Sequence, residues 1–176
     1  MNFIIESPKF QIIELAELKR HLRIEHDYED EYLNKNIEMA TSILENYIER
    51  PILKKKYKYL VYCNDNKRPY KIELPVRDVN LILSVKQKSL RGICKRITFS
   101  VDMDRDRTFI LINEAKYPIE IKYSAGLIER PAEVPGDLRY AILQIAKNIY
   151  SCNNEDILAS DCIKNIVDKY RRVTIN

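Results

Sequence analysis

From Leu33, apolar side chains recur at Ile37, Ala40, Leu44 and Tyr47, in steps of four, three, four and three residues. At about 3.6 residues per turn this spacing lines them along one face of a helix, and that face must be buried. Asp27 is placed to cap the helix. Glu29, Asp30 and Glu31 crowd its first turn, where the positive end of the helix dipole favours acids. Pro51 stops it just after Arg50, since proline has no N–H and biases the residue before it away from helical geometry. Upstream, Leu15, Leu18 and Leu22 share one side of a shorter helix, with Lys19, Arg20 and Arg23 away from that stripe. The two predict an αα-hairpin with its turn near residues 25–28.

The middle of the chain follows a different rule. Residues 56–63, 70–74, 79–85, 93–101, 108–112 and 119–123 are short runs rich in β-branched and aromatic side chains, separated by polar or proline-containing breaks. They predict up to six strands, mostly antiparallel. Alternation is clearest in KKYKYLVY and IEIKY, as strands with one wet face require. Helix returns at about 135–152, where Leu138, Ile142, Ile145 and Ile149 align and Pro135 suits the first turn. A fourth helix at about 160–170 aligns Ile163, Ile166, Val167 and Tyr170, after a polar linker NNED.

The expected architecture is α+β: an N-terminal αα-hairpin and two C-terminal helices forming a helical bundle, with an inserted antiparallel β-rich region. The helices fall at about 14–50 and 135–171 and the insert at about 54–125. At 176 residues the chain fits one domain spanning 1–176, which can bury roughly 70% of its unfolded surface without staples. Cys63, Cys94, Cys152 and Cys162 form no CxxC pair and no signal peptide opens the chain, which points to a reduced intracellular protein. No apolar run approaches the roughly 20 residues of a membrane span.

Charge is uneven along the chain. Residues 1–50 carry 6 basic and 11 acidic side chains, 51–125 carry 17 and 8, and 126–176 carry 7 and 7. A solvated basic face accounts for the middle segment, and so does a basic surface that meets nucleic acid or an acidic partner.

Catalytic and metal motifs are missing from the sequence. It has 3 glycines, no phosphate-cradling loop, no GxSxG elbow and no His-rich metal motif, so an enzyme is not expected and no cofactor or metal is implied. In DMDRDRTFILINE, Asp102, Asp104 and Asp106 match the start of a calcium loop. Arg107 replaces its glycine and Asn113 its bidentate Glu, so a polar β-turn is expected instead. Nor does the helical pair suit a DNA-reading helix-turn-helix, because Glu29, Asp30 and Glu31 would meet phosphate where the recognition helix begins. His21 is read as a packed corner residue; the alternatives are a bridge to Asp27 or a titrating switch.

These residues carry a family resemblance. The stretch LAELKRHLRIEHDYEDEYLNKNIEMATSILENYIERPIL resembles the opening of the phage head-tail connector (adaptor) family, with its signature at Leu18, Lys19, His21, Leu22, Arg23 and Ile24. IKYSAGLIERPAEVPGDLRYAILQIAKNIY resembles the same family's strand, Ala-Gly turn, Val-Pro and third helix, and KYRRV its tail. Residues 54–113 carry no recognisable family signal. Two departures concern helix ends: Glu14 stands at a capping position, and Ser151, Cys152 and Asn153 replace an Asn-Arg pair. The pattern is most similar to the long-insert branch of tailed phages, prophages and gene transfer agents.

The resemblance implies a structural virion protein at the head-tail junction, made in the bacterial cytoplasm. It would form a homo-oligomeric ring, typically of twelve copies, under the portal protein, extend the DNA channel and receive a tail or stopper protein. DNA would be only passing cargo, and no membrane is involved. Tyr170, Arg171, Arg172 and Val173 are the implied portal contacts. KQKSLRGICKR gathers Lys86, Lys88, Arg91, Lys95 and Arg96 around Gly92, either as a hairpin tip facing the DNA channel or a neighbouring subunit, or as a charged edge that blocks strand addition. The alternative function is a small nucleic-acid-binding domain that uses the basic β-rich middle segment.

Overall fold

The computed structural model describes residues 2–7, 10–62, 69–88, 94–104, 107–113, 118–151 and 161–171. The chain divides into two compact units, one formed by Met1–Pro8 with Lys54–Leu127 and the other by Lys9–Leu53 with Ile128–Asn176. Antiparallel sheets and helices give the α+β class.

The helical unit holds α1 (Leu15–Leu22), α2 (Asp30–Ile48), a 3-10 turn (Pro131–Glu133), α3 (Gly136–Tyr150) and α4 (Asp161–Val167). The stripe on α2 is buried as its spacing requires: Leu33, Ile37, Ala40 and Leu44 are sealed from solvent. At its end Ile48 enters the core and Tyr47 packs at the margin. Leu138, Ile142 and Ile145 of α3 and Ile163 and Val167 of α4 share this core, and so do Ile12 and Ile13, which precede α1.

Two details correct the sequence reading. Asp27 does not cap α2: Glu29 occupies the N-cap position without a side-chain cap, and the Asp27 carboxylate turns to Lys19 instead. The ends of α1 and α2 are both closed by non-glycine residues in the left-handed region, Arg23 at φ 59° and Glu49 at φ 56°. In each case two backbone N–H groups return to carbonyls of the last turn, Arg23 and Ile24 to Arg20 and Lys19, Glu49 and Arg50 to Asn46 and Glu45. This is the Schellman arrangement, which satisfies carbonyls that a helix end leaves open. Pro51 follows and prevents resumption.

Among the described residues the β unit has two sheets. One has five strands in the order β1 (Asn2–Glu6), β2 (Lys55–Val61), β8 (Ile119–Ala125), β4 (Val79–Lys88) and β5 (Cys94–Arg96). The other has three, β3 (Tyr70–Glu73), β7 (Arg107–Ile112) and β6 (Ser100–Asp104). All ladders are antiparallel. Their common core includes Tyr57, Ile121 and Tyr123 from the larger sheet and Ile72, Ile110 and Ile112 from the smaller.

Among the described residues eight strands stand where up to six were expected. β1 was not foreseen, because NFIIE is short and its partner Tyr59 lies more than fifty positions on. The run at 93–101, read as one strand, is two: β5 pairs with β4, and after residues 97–99 the chain joins the other sheet as β6. Continuous β-propensity cannot reveal such a switch, because propensity reports fit to a pleated surface and not which sheet supplies it. The described residues of the Asp-rich string lie on β6 and β7, which pair antiparallel, and Asp102 pairs with Lys71 at 3.0 Å; Asp106 lies outside the described residues.

Candidate interaction surfaces

The signature residues at the α1–α2 corner divide into packing and tethering groups. Leu18 is fully buried, and Leu22 and Ile24 pack against the same core. Lys19 is largely covered by its neighbours, and its ammonium donates to Asp27 Oδ1 at 2.5 Å and Asp30 Oδ1 at 2.8 Å. The hydrogen bonds to Asp27 and then Asp30 hold the Lys19 pKa above its ordinary value, and the bond from Lys19 holds Asp27 below the usual carboxylate range. The side chain thus ties α1 across the turn to the start of α2.

His21 does not reach Asp27. Its Nε2 lies 3.3 Å from Nε2 of Gln144 on α3, so the half-buried ring joins α1 to α3. Arg139 reinforces that junction, donating to the Ile12 carbonyl at 2.6 Å and forming an ion pair with Glu17. At the turn, His26 stacks on Tyr28 with ring centroids 3.7 Å apart. The Tyr150 hydroxyl donates to Glu29 at 2.9 Å, which raises the phenol's pKa and anchors the end of α3 to the turn.

Of the implied portal contacts, Tyr170 is half-buried and Arg171 exposed, while Arg172 and Val173 lie outside the described residues. The Tyr170 hydroxyl is engaged with Asp137 in the first turn of α3. Lys169 forms an ion pair with the same carboxylate. Burial pushes the Asp137 pKa up, but hydrogen bonds from Lys169, Tyr170 and the Leu138 N–H outweigh it and leave the group below its ordinary value. The Arg171 guanidinium lies 5.0 Å from the Tyr47 ring centroid, and the Tyr47 hydroxyl donates to Asp168 at 2.7 Å.

The basic string falls at the β4–β5 hairpin. Lys86 is opposite Arg96, Gln87 opposite Lys95, and Lys88 opposite Cys94. Paired residues share a face and neighbours alternate, so Lys86, Lys88 and Arg96 lie on one side of the sheet and Lys95 on the other. Arg91 and Gly92 lie outside the described residues. β5 is an edge of its sheet. Sequence reasoning missed the basic residues on the adjoining strands, Lys56 and Lys58 of β2 and Lys122 of β8. The Lys–Tyr alternation of β2 was visible, but only the register shows which strands extend the hairpin's basic face.

Among the described residues no group of three His, Cys, Asp or Glu side chains could hold a metal ion. None of the described helices is long and apolar enough to cross a membrane.

Residues 12–93 match the phage gp6-like head-tail connector protein family. The match extends into the β unit, beyond the helical segment where the sequence carried a readable signal. No curated protein sequence matches. Among solved structures, a chain from the neck of an empty gene transfer agent particle is similar with a TM-score of 0.78 at 15% identity, over 100% of this chain and 97% of that one. Chains from the virion of a native gene transfer agent particle and from the neck of a native particle give TM-scores of 0.76 and 0.74 at 17% and 16% identity, with the same coverage. The resemblance to the connector family is borne out by the family match, and the similar structures extend the likeness of fold over the whole chain.

Proposed function

From the chain's likeness to the phage gp6-like head-tail connector family over residues 12–93, we propose that it is a structural connector of a virion neck. In this reading it is a ring subunit under the portal protein that extends the DNA channel and receives a tail or stopper protein. The two units act as one connector domain. The αα-hairpin and the C-terminal helices form its bundle, and the β-rich region is an insert reaching neighbouring components.

The observation that carries the reading is the α1–α2 corner. The signature of the resemblance lies within the residues that match the family, and its side chains fix the corner: Leu18 in the core, Lys19 across the turn, His21 against α3. A corner fixed in this way gives identical subunits one shape, which a closing heterologous interface needs. The segment after α4 is the portal-facing element, with Arg171 the described side chain most available for contact, since the Tyr170 hydroxyl is held internally.

The test is co-sedimentation with the purified portal ring encoded in the same genomic neighbourhood, comparing the full chain with one truncated after Lys169. Binding at the portal's symmetry, lost on truncation, supports both the connector role and the tail contact. Failure of the intact chain to bind a folded portal overturns the reading.

The alternative, a nucleic-acid-binding domain, draws on the basic β unit.

A further inference from the structure

The register of the five-stranded sheet sets like charges face to face. On the side opposite the core residues Tyr57, Tyr123 and Val85, Lys58 lies directly across from Lys122, and Lys86 directly across from Arg96. Lys56 and Lys88 share this face, and its acids are Glu6 and Glu120. Glu6 is paired with Lys56 at 2.8 Å, and Glu120 lies 3.9 Å from Lys122. Among the described residues no carboxylate forms an ion pair with Lys58, Lys86, Lys88 or Arg96. Like charges directly opposite one another destabilise a sheet; Glu120, directly opposite Lys86 and 3.9 Å from Lys122, offsets part of that repulsion, and Lys58, Lys88 and Arg96 are left facing solvent without a carboxylate partner among the described residues.

We propose that this face is a contact surface for the sugar-phosphate backbone of duplex DNA. Alternate residues on a strand stand roughly 7 Å apart and adjacent strands about 4.8 Å apart, so the face offers a grid of separate positive charges. A duplex presents about one negative charge per 1.7 Å of axis. The cations are mostly lysine, a point charge suited to contact without fixed geometry, and contacts to phosphate carry no sequence information. An acidic protein surface is the weaker fit, because protein interface cores are depleted in lysine and enriched in aromatic anchors. Among the described strand residues the aromatic on this face is Phe3 at the edge, and it already lies beneath Lys58 at 5.8 Å.

The proposal does not depend on portal binding or ring closure, so it stands or falls separately from the connector reading. The experiment measures binding of the full chain to a random-sequence 30-base-pair duplex by fluorescence anisotropy between 50 and 200 mM salt. With about four cations engaged, affinity falls roughly a hundredfold over that range. The double variant Lys86→Gln/Lys122→Gln binds at least tenfold more weakly at 50 mM and shows a salt slope shallower by about two. Lys35→Gln/Lys147→Gln, an equal charge loss on the helical unit, stays within about twofold of the parent. Thermal unfolding of the sheet variant within a few degrees of the parent separates lost contact from lost fold. Absence of binding at 50 mM, or an equal loss in the helical variant, overturns the proposal. So does a sheet variant that abolishes self-association while leaving DNA binding unchanged, which would assign the face to an acidic protein surface.

Discussion

The phenol of Tyr170 donates to the carboxylate of Asp137, its oxygen 2.8 and 2.9 Å from the two carboxylate oxygens. The bond spans thirty-three positions and fastens the segment after α4 to the first turn of α3. Arg50 adds a second tie from the end of α2, donating to the Tyr170 carbonyl at 3.3 Å.

Tyr170→Phe keeps the ring and deletes the bond. Hydrogen bonds to charged groups contribute about 1.5–3 kcal/mol, and since Tyr170 is only half-buried the lower end is expected. Urea unfolding should show a lower midpoint with an unchanged slope. A midpoint equal to the parent's would mean that the bond contributes nothing in solution.

The same carboxylate sets a pH dependence. The folded pKa of Asp137 lies below its ordinary value, so its ionised form stabilises the fold above the ordinary carboxylate pKa. That contribution fades as pH falls through the folded value. Asp137→Asn should therefore be less stable than the parent at pH 7, with the gap closing toward pH 3. A gap of constant size would place the effect in packing.

Lys19 ties the turn by charge. Its pKa is raised and that of Asp27 lowered, so the tie is complete between the ordinary pKa values of carboxylate and lysine. It weakens as pH falls through the Asp27 value or rises through that of Lys19. Lys19→Met should speed amide exchange in residues 25–31 relative to the parent at pH 7, and the ratio should shrink near pH 3. Lys35→Met, which removes an exposed pair with Glu31 within α2, should leave the turn unchanged.

Arg23 closes α1 in the left-handed region, a conformation that costs a non-glycine residue about 1 kcal/mol. Arg23→Gly should raise the thermal midpoint by a few degrees, while the β-branched Arg23→Val should lower it. Opposite signs at one exposed position would show that the backbone, not the guanidinium, decides.

Core truncation sets the upper scale. Ile37 is fully buried among helices of its unit, and Ile37→Ala should cost about 2–5 kcal/mol by urea unfolding. A loss below 1 kcal/mol would mean that this core relaxes around the cavity.

How much was legible depends on the range of the interaction. The spacing of Leu33, Ile37, Ala40 and Leu44 lies within a few turns of one helix, and those residues are buried as read. The Asp27 cap failed because a side chain eight positions away, Lys19, claimed the carboxylate. The KYRRV tail carries the portal contacts that the resemblance implies, and the Tyr170 hydroxyl within it donates to Asp137, a residue no local pattern links to it.

The sequence alone determined where the chain is helical, where the middle of the chain is extended, and which side of α2 is apolar, because these follow from periodicities of two and about 3.6 residues. The tertiary structure alone decided that β1 joins β2, that the 93–101 run divides between two sheets, and that Lys58 faces Lys122. Strand register joins residues far apart in the chain, and a shift of one position would turn every side chain to the opposite face. The basic face is therefore a property of the pairing, visible only once the strands are in place.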